Sequence, residues 1–144
     1  MEHTMLVWAQ SVKQLCSKSM EPIIEEFDLT MIEIGIILFL AESPACDTCR
    51  EIADNLLLAK SNVSTAVEHL VQKGLVGREP DQADRRKVHL SLRPSARALV
   101  RKGQSARDTL LQELMSGFTP EEIGQMEHLE QKLLEQIRLV LKKL

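Results

Sequence analysis

The sequence lacks several features that would assign it at once to a common class of protein. Its 144 residues include no tyrosine, one tryptophan and three phenylalanines. Three cysteines, an odd number in a chain of this length, argue against a disulfide-stabilised secreted scaffold. No apolar run reaches the roughly 18 residues that a membrane span requires. The segment that follows Glu2 and His3 lacks the basic and apolar regions of a secretory signal. We therefore expect a cytoplasmic protein without membrane association.

Patterns typical of catalysis or metal binding are also missing. No Ser/His/Asp pattern or glycine-rich phosphate loop is found, and Cys46-x-x-Cys49 supplies only half a zinc site. A thiol oxidoreductase would place this motif after a strand, whereas here a predicted helix precedes it. We expect no enzyme activity, no cofactor and no metal. The histidines share no ligand spacing: His3, His69, His89 and His128.

Charge is distributed unevenly along an otherwise ordinary chain, which is 44% apolar and carries a net charge of −3. From Pro22 to Cys49 there are six acids and no Lys or Arg. From Arg78 to Lys102 there are eight Lys or Arg and three acids. Such a basic stripe is either a solvated charged face or an electrostatic footprint for a polyanion.

Apolar periodicity and capping patterns predict a mainly helical chain. The first helix carries an amphipathic stripe from Met5 to Met20, and Pro22 is expected to kink or interrupt it. Further helices are expected to about Glu42, from about Cys49 to Leu57 and from about Lys60 to Lys73. Three Thr-x-x-Glu sequences indicate helix starts: Thr30/Glu33, Thr48/Glu51 and Thr119/Glu122.

A short hairpin is expected next, with strands at about Leu75–Glu79 and Lys87–Leu92. In its second strand Val88, Leu90 and Leu92 alternate with polar residues, and His89 is assigned to the outer face. A long helix from Pro94 and a final helix from Pro120 follow, the latter burying a stripe that includes Leu129 and Leu133. Helices followed by a charged hairpin indicate a winged helix-turn-helix.

The segment from Ser61 to Leu92, SNVSTAVEHLVQKGLVGREPDQADRRKVHLSL, resembles the recognition helix and wing of the MarR family of transcription regulators. The most specific element is Asp81-x-x-Asp84-Arg85-Arg86 in the hairpin. The resemblance implies a cytoplasmic, homodimeric DNA-binding regulator, in which Asp84 braces Arg86 for entry into the minor groove. It also implies DNA contacts by five residues at the start of the fourth helix and by the wing: Lys60, Ser61, Asn62, Ser64, Thr65, Asp84, Arg85, Arg86 and Lys87.

The resemblance further implies one MarR-type domain over residues 1–144. Its winged-helix part would span about 30–93, and residues 1–27 and 94–144 would form the helical dimerisation part. Two-fold symmetry then predicts a palindromic operator in double-stranded DNA. The chain would act as a repressor that a small-molecule effector or an oxidant releases from DNA.

The sequence leaves the sensor open. Cys46 and Cys49 flank a helix start, where the helix dipole lowers a thiol pKa, so they form a candidate redox pair; otherwise they are structural. A ligand pocket lined by Trp8, Val12 and Phe39 is the other candidate. Two alternatives to DNA binding also stay open: a winged-helix adaptor for other proteins, and a thiol-redox protein that uses the two cysteines.

Overall fold

The computed structural model describes residues 2–144, and the side chains from His3 onward. The fold is mainly α-helical with one two-stranded antiparallel hairpin, as the sequence predicts. Its elements are α1 (Glu2–Phe27), α2 (Met31–Glu42), α3 (Cys49–Leu56), α4 (Lys60–Gln72), β1 (Val76–Pro80), β2 (Val88–Leu92), a 3-10 turn (Pro94–Ala96), α5 (Arg97–Met115) and α6 (Pro120–Leu141). The chain forms two compact units, one ending at Arg107 and the other comprising Asp108–Leu144. The domain boundaries expected from the sequence stay predictions.

Two of the three predicted capping boxes form with both of their hydrogen bonds. The hydroxyl oxygen of Thr30 accepts a hydrogen bond from the Glu33 N–H at 3.2 Å, and the Glu33 carboxylate accepts one from the Thr30 N–H at 3.2 Å. Thr119 makes the same reciprocal pair at the start of α6. Thr48 caps α3 through its side-chain oxygen, but its hydroxyl donates to the Glu51 carboxylate at 2.8 Å. Local sequence therefore fixes where these helices begin.

The core of the first unit forms around α2, whose side chains at Ile34, Ile36 and Ile37 are fully buried. The predicted inner face of α4 is confirmed, since all four of its apolar residues are buried: Val63, Ala66, Val67 and Leu70. Gly103 lets the backbone of α5 pass close to α2, because a Cβ built there would lie 2.8 Å from Leu38 Cδ2.

A Schellman motif ends α4 and turns the chain into the hairpin. Gly74 adopts φ +72°, the Gly74 N–H donates to the Val71 carbonyl at 3.0 Å, and the Leu75 N–H donates to the Leu70 carbonyl at 3.0 Å. β1 and β2 then pair from Val76↔Leu92 to Pro80↔Val88. Leu90 is buried, so β2 packs on the core as predicted.

Two expectations from the sequence are wrong, and another is wrong in part. Of the kink or interruption expected at Pro22, the interruption does not occur: α1 continues to Phe27, and Met20 and Ile23 on either side of the proline are buried against the core. Val88 is exposed, because it lies toward the wing tip and beyond the edge of the core.

The third error concerns α6. No residue of α6 is buried, and Leu129 is 62% exposed. The second unit contains only α6 and the end of α5, too few elements to enclose the apolar stripe.

Within residues 2–144, no helix combines the length and apolar character needed to cross a membrane.

Candidate nucleic-acid interface

A groove of about 760 Å³ opens where three elements of the first unit meet. The starts of α3 and α4 form one wall, and the wing (residues 81–88, with the adjoining His89) forms the other. Its lining includes five residues that the sequence assigned to DNA contact: Lys60, Ser64, Asp84, Arg86 and Lys87. The structure therefore brings the first turn of α4 and the wing tip together, although 20 residues or more separate them in sequence.

The exposed face of α4 begins at its first residue. Lys60, Ser61, Asn62, Ser64 and Thr65 are all exposed, and the buried positions between them fix this face outward. No side chain caps the start of α4, because its N-cap is Ala59. The backbone N–H groups of its first turn are therefore free to donate hydrogen bonds to an anion.

Two aspartates shape the turn at the wing tip. The Asp81 carboxylate accepts hydrogen bonds from the Ala83 N–H at 3.0 Å and the Asp84 N–H at 2.8 Å. The Asp84 carboxylate accepts one from the Arg86 N–H at 3.0 Å. Asp84 thus contacts the backbone N–H of Arg86. This hydrogen bond orients the main chain of Arg86 and does not involve its guanidinium group.

The wing cations are free to bind an anion. Within residues 3–144, the guanidinium groups of Arg85 and Arg86 and the ammonium group of Lys87 form no salt bridge. All three side chains are exposed. They concentrate positive charge at the wing, although the net charge of the chain is negative.

His89 connects the wing to the rest of the unit, which the sequence did not predict. Its Nδ1 lies 2.8 Å from Asp47 Oδ1, and its Nε2 lies 2.7 Å from Asp81 Oδ1. The hydrogen bond to Asp47, and then that to Asp81, raises the pKa of His89. The hydrogen bond from His89, with those from the Asp84 and Ala83 N–H groups, lowers the pKa of Asp81 to about 2. His89 therefore lies on the outer strand face, as the alternation predicts, but it is bonded to two carboxylates that the sequence did not indicate.

Two further polar contacts hold α4 in place. Arg78 in β1 bonds to Glu68 at 2.5 Å, and His69 Nδ1 lies 2.7 Å from Oε1 of the buried Glu33. Both contacts connect α4 to neighbouring elements through partners that are distant in sequence.

Cys49 differs from the expectation of a lowered thiol pKa. Cys46 and Cys49 are free and half-buried, and Cys49 lines the groove. Burial raises the pKa of Cys49, and the nearby positive charge of Arg78 offsets this only in part. Desolvation is therefore the dominant influence on this thiol. The redox role of the pair stays a prediction.

The candidate ligand residues do not share one environment. Trp8 and Val12 are exposed on α1, whereas Phe39 is half-buried against the core. A cavity of about 560 Å³ lies elsewhere in the first unit, where α2, the end of β2 and the start of α5 meet. Its lining is apolar with three arginines: Ala41, Leu92, Arg93, Ala96, Arg97, Val100 and Arg101. The pocket at Trp8, Val12 and Phe39 stays a prediction. Among the described residues, no group of three or more His, Cys, Asp or Glu side chains is arranged to hold a metal ion.

Comparison with known proteins agrees with this geometry. A family model described as "MarR family" matches residues 27–87, the segment from the end of α1 to the wing. The homoprotocatechuate degradative operon repressor of Escherichia coli is 28% identical over 108 residues, which cover 75% of this chain and 72% of the repressor.

Solved structures extend the similarity to nearly the whole chain. The MepR–DNA complex of S. aureus is 27% identical with a TM-score of 0.76, covering 90% of this chain and 96% of MepR. A mutant of E. coli MarR complexed with operator DNA is 25% identical with a TM-score of 0.73, covering 92% of each chain. Hence the chain has a winged helix-turn-helix fold and is similar to the MarR family, in sequence from the end of α1 to the wing and in structure over nearly its whole length.

Proposed function

We propose that this chain is a homodimeric, sequence-specific DNA-binding transcription regulator that acts as a repressor. The observation that carries the proposal is the groove in which the start of α4 meets unpaired cations of the wing. α4 lies in the major groove of double-stranded DNA, and Arg86 of the wing enters the adjacent minor groove.

The residues of α4 are suited to reading base edges. Asn62 can bond an adenine edge in a bidentate manner, while Ser64 and Thr65 discriminate less between bases. Lys60 and the free N–H groups of the first turn bind phosphate and fix the position of the helix. This division places sequence recognition in α4 and much of the electrostatic attraction in the wing.

The wing chemistry fits a minor groove. A narrow A·T-rich minor groove has enhanced negative potential, and a long planar guanidinium group enters it readily. Arg86 has no internal carboxylate partner in residues 3–144, so binding DNA breaks no salt bridge of its own. Arg85 and Lys87 flank it and bind phosphate.

Similar proteins support both DNA binding and repression. MepR and the MarR mutant were solved with DNA, the latter with operator DNA. The E. coli relative is named as an operon repressor. We therefore assign repression as the regulatory effect and a palindromic operator as the partner.

Dimerisation follows from apolar side chains that a single chain leaves in water. Met5, Trp8 and Val12 on α1 are exposed, as are Leu129 and Leu133 on α6. Apolar exposure of this extent is typical of a protein interface. A second copy of the chain covers these faces, and its symmetry places operator half-sites about one helical turn apart.

A small-molecule effector or oxidation releases the repressor. Trp8, Val12 and Phe39 are the candidate ligand residues, and Cys46 with Cys49 is the candidate redox pair. The proposal assigns no catalysis, cofactor or metal to the chain. The regulators that this chain resembles act in bacterial or archaeal cells, where DNA lies in the cytoplasm. The chain therefore acts in the cytoplasm.

Two other functions compete with this one, a winged-helix adaptor for proteins and a thiol-redox protein. The free wing cations favour DNA over an adaptor role, and the raised pKa of Cys49 disfavours a thiol nucleophile. An adaptor would bind DNA weakly and without sequence preference.

Selection from a random-sequence double-stranded library tests the proposal. Duplexes captured by the purified protein should converge on a palindrome, and fluorescence anisotropy should show binding that weakens steeply with salt. A captured pool without a shared sequence would refute sequence-specific recognition. Binding that does not respond to salt would favour the adaptor.

A further inference from the structure

We propose that His89 is a positioning residue for the wing. Together with Asp47 and Asp81 it forms a bridge (Asp47–His89–Asp81) that holds Arg86 in place relative to α4 only while both imidazole nitrogens carry protons. DNA affinity therefore depends on the protonation of a residue that need not touch DNA. This inference rests on the proposed DNA-binding function.

The geometry requires two protons on one ring. Nδ1 faces Asp47 Oδ1 at 2.8 Å, and Nε2 faces Asp81 Oδ1 at 2.7 Å. A carboxylate can only accept a hydrogen bond, and a neutral imidazole has a single N–H. When His89 loses a proton, one ring nitrogen presents a lone pair to the carboxylate that it faces. The nitrogen and the carboxylate then repel each other, and that hydrogen bond of the bridge is lost.

The two carboxylates belong to different parts of the unit. Asp81 lies at the wing tip, where its other oxygen forms the turn that precedes Arg86. Asp47 lies in the loop before α3, and its carbonyl oxygen accepts a hydrogen bond from the Leu90 N–H at 2.8 Å. Loss of the Asp81 contact leaves the tip held only by its own turn hydrogen bonds, whereas loss of the Asp47 contact leaves β2 joined to the loop before α3 by the Leu90–Asp47 backbone hydrogen bond. Either change leaves Arg86 less fixed.

Other charges around His89 do not replace the bridge. The cross-strand neighbour of His89 is Glu79, another acid. The groove beside His89 holds cations and acids from every neighbouring element: Arg50 and Glu51 of α3, Lys60 of α4, and Asp84, Arg86 and Lys87 of the wing. His89 and both of its partners are partly exposed, at 38%, 24% and 27%, so solvent ions reach the bridge and weaken it.

The pH dependence has a definite sign. The pKa of His89 is raised above its usual 6.5, so the bridge is complete below that value and is lost as pH rises through the raised pKa. The pKa of Asp81 is lowered to about 2, so this carboxylate stays ionised throughout the same range. The wing is therefore ordered at mildly acidic pH and loosens at alkaline pH.

A simpler mechanism gives the same sign, because a cationic His89 in the groove would itself attract phosphate. Asp81→Asn separates the two. The amide oxygen can accept the N–H groups of Ala83 and Asp84, and the amide nitrogen can donate to the lone pair of a neutral ring at Nε2. The variant should therefore hold the wing with His89 uncharged. If His89 acted only by attracting phosphate, the DNA affinity of this variant would still fall as pH rises.

The first arm of the experiment uses the free protein. NMR relaxation of the backbone amides of residues 81–87 is measured from about pH 5.5 to about pH 9, across the titration range of histidine. Wild-type protein should lose order as pH rises and His89 loses its proton. Asp81→Asn should instead be ordered at high pH, where the neutral ring accepts the amide N–H, and His89→Ala should be mobile throughout. His128→Gln, which removes an exposed histidine of α6, should behave as wild type. A wing whose order ignores pH, or that stays ordered in His89→Ala, overturns the bridge.

The second arm measures affinity for a duplex obtained from the random-sequence selection. Wild-type affinity should fall severalfold from low to high pH, whereas that of Asp81→Asn should not fall. A pH dependence in Asp81→Asn equal to that of wild type overturns the positioning role. Absence of duplex binding by the wild type at any pH overturns the proposed function, and the free-protein arm still decides the bridge by itself.

Discussion

Glu33 of α2 and His69 of α4 are joined by a contact of 2.7 Å between Oε1 and Nδ1. The other carboxylate oxygen, Oε2, accepts the Thr30 N–H at the start of α2. One buried side chain therefore caps the helix to which it belongs and connects it to the recognition helix. Glu33 is 5% exposed, so water cannot replace either partner easily.

Glu33→Ala should lower the free energy of unfolding by about 1–3 kcal/mol, because the Thr30 N–H and His69 Nδ1 lose a buried partner. Urea denaturation followed by circular dichroism measures the loss. Glu33→Gln is the matched control, since its amide can accept from Thr30 and donate to a neutral His69. An unchanged free energy of unfolding in Glu33→Ala would show that neither hydrogen bond contributes to stability.

Arg86→Ala should weaken binding to the selected duplex by about 1–3 kcal/mol, because a guanidinium group is lost from the minor groove. The dimer should be as stable as before. Lys132→Ala, which removes an exposed cation of α6, is the control and should bind normally. Anisotropy titrations over several salt concentrations measure both variants. An Arg86→Ala protein with wild-type affinity would remove the wing arginine from DNA recognition.

Gly103→Val should lower the free energy of unfolding by about 1–3 kcal/mol, because the added side chain overlaps the buried Leu38. Adding Leu38→Ala should recover part of the loss by making space. Gly35→Ala is the control in α2, where a Cβ meets nothing within 4 Å, and it should stabilise by about 0.5–1 kcal/mol. Thermal unfolding measures all of them. The absence of any recovery in the double variant would argue against this close approach of α5 to α2.

Cys49 should react slowly with iodoacetamide at neutral pH, because burial raises its pKa and reduces the thiolate fraction. Its rate should increase with pH and reach half its maximum above the usual value of 9.0. Arg78→Ala removes the cation that opposes this shift, so the reaction should become slower still. Mass spectrometry follows the alkylation of each cysteine, with glutathione as the reference thiol. A Cys49 that reacts faster than glutathione at neutral pH would contradict the burial effect.

Oxidation of the pair is tested separately. If Cys46 and Cys49 release the repressor, mild peroxide should lower duplex affinity and free-thiol count together. The combined variant Cys46→Ser, Cys49→Ser should then resist peroxide. A double variant as sensitive as wild type assigns both cysteines a structural role.

Leu133→Asp should dissociate the proposed dimer, because it places a charge in the apolar stripe of α6. The helical signal should persist, since Leu133 is 47% exposed in the single chain and contributes little to its core. Sedimentation equilibrium measures the dissociation, and Lys132→Asp is the neighbouring control off the stripe. An unchanged dimer would exclude this part of α6 from the interface.

Local patterns in the sequence determined most of the fold. Thr-x-x-Glu pairs define two helix starts in full, because cap and acid lie three residues apart and need no distant partner. Gly74 ends α4 for a similar reason, since only glycine adopts a positive φ without strain. Alternation in β2 and periodicity in α4 set which side chains face the core, with Val88 as the exception.

Tertiary structure alone decided the polar contacts of the site. His69 meets Glu33 across 36 residues, and His89 meets Asp47 across 42, separations at which no periodic pattern links a pair. The same holds for the pKa of Cys49, which packing raises although a helix start suggested the opposite. The sequence located the wing arginine by itself. The side chains that hold it beside the recognition helix emerged only when the folded chain brought distant segments within hydrogen-bonding distance.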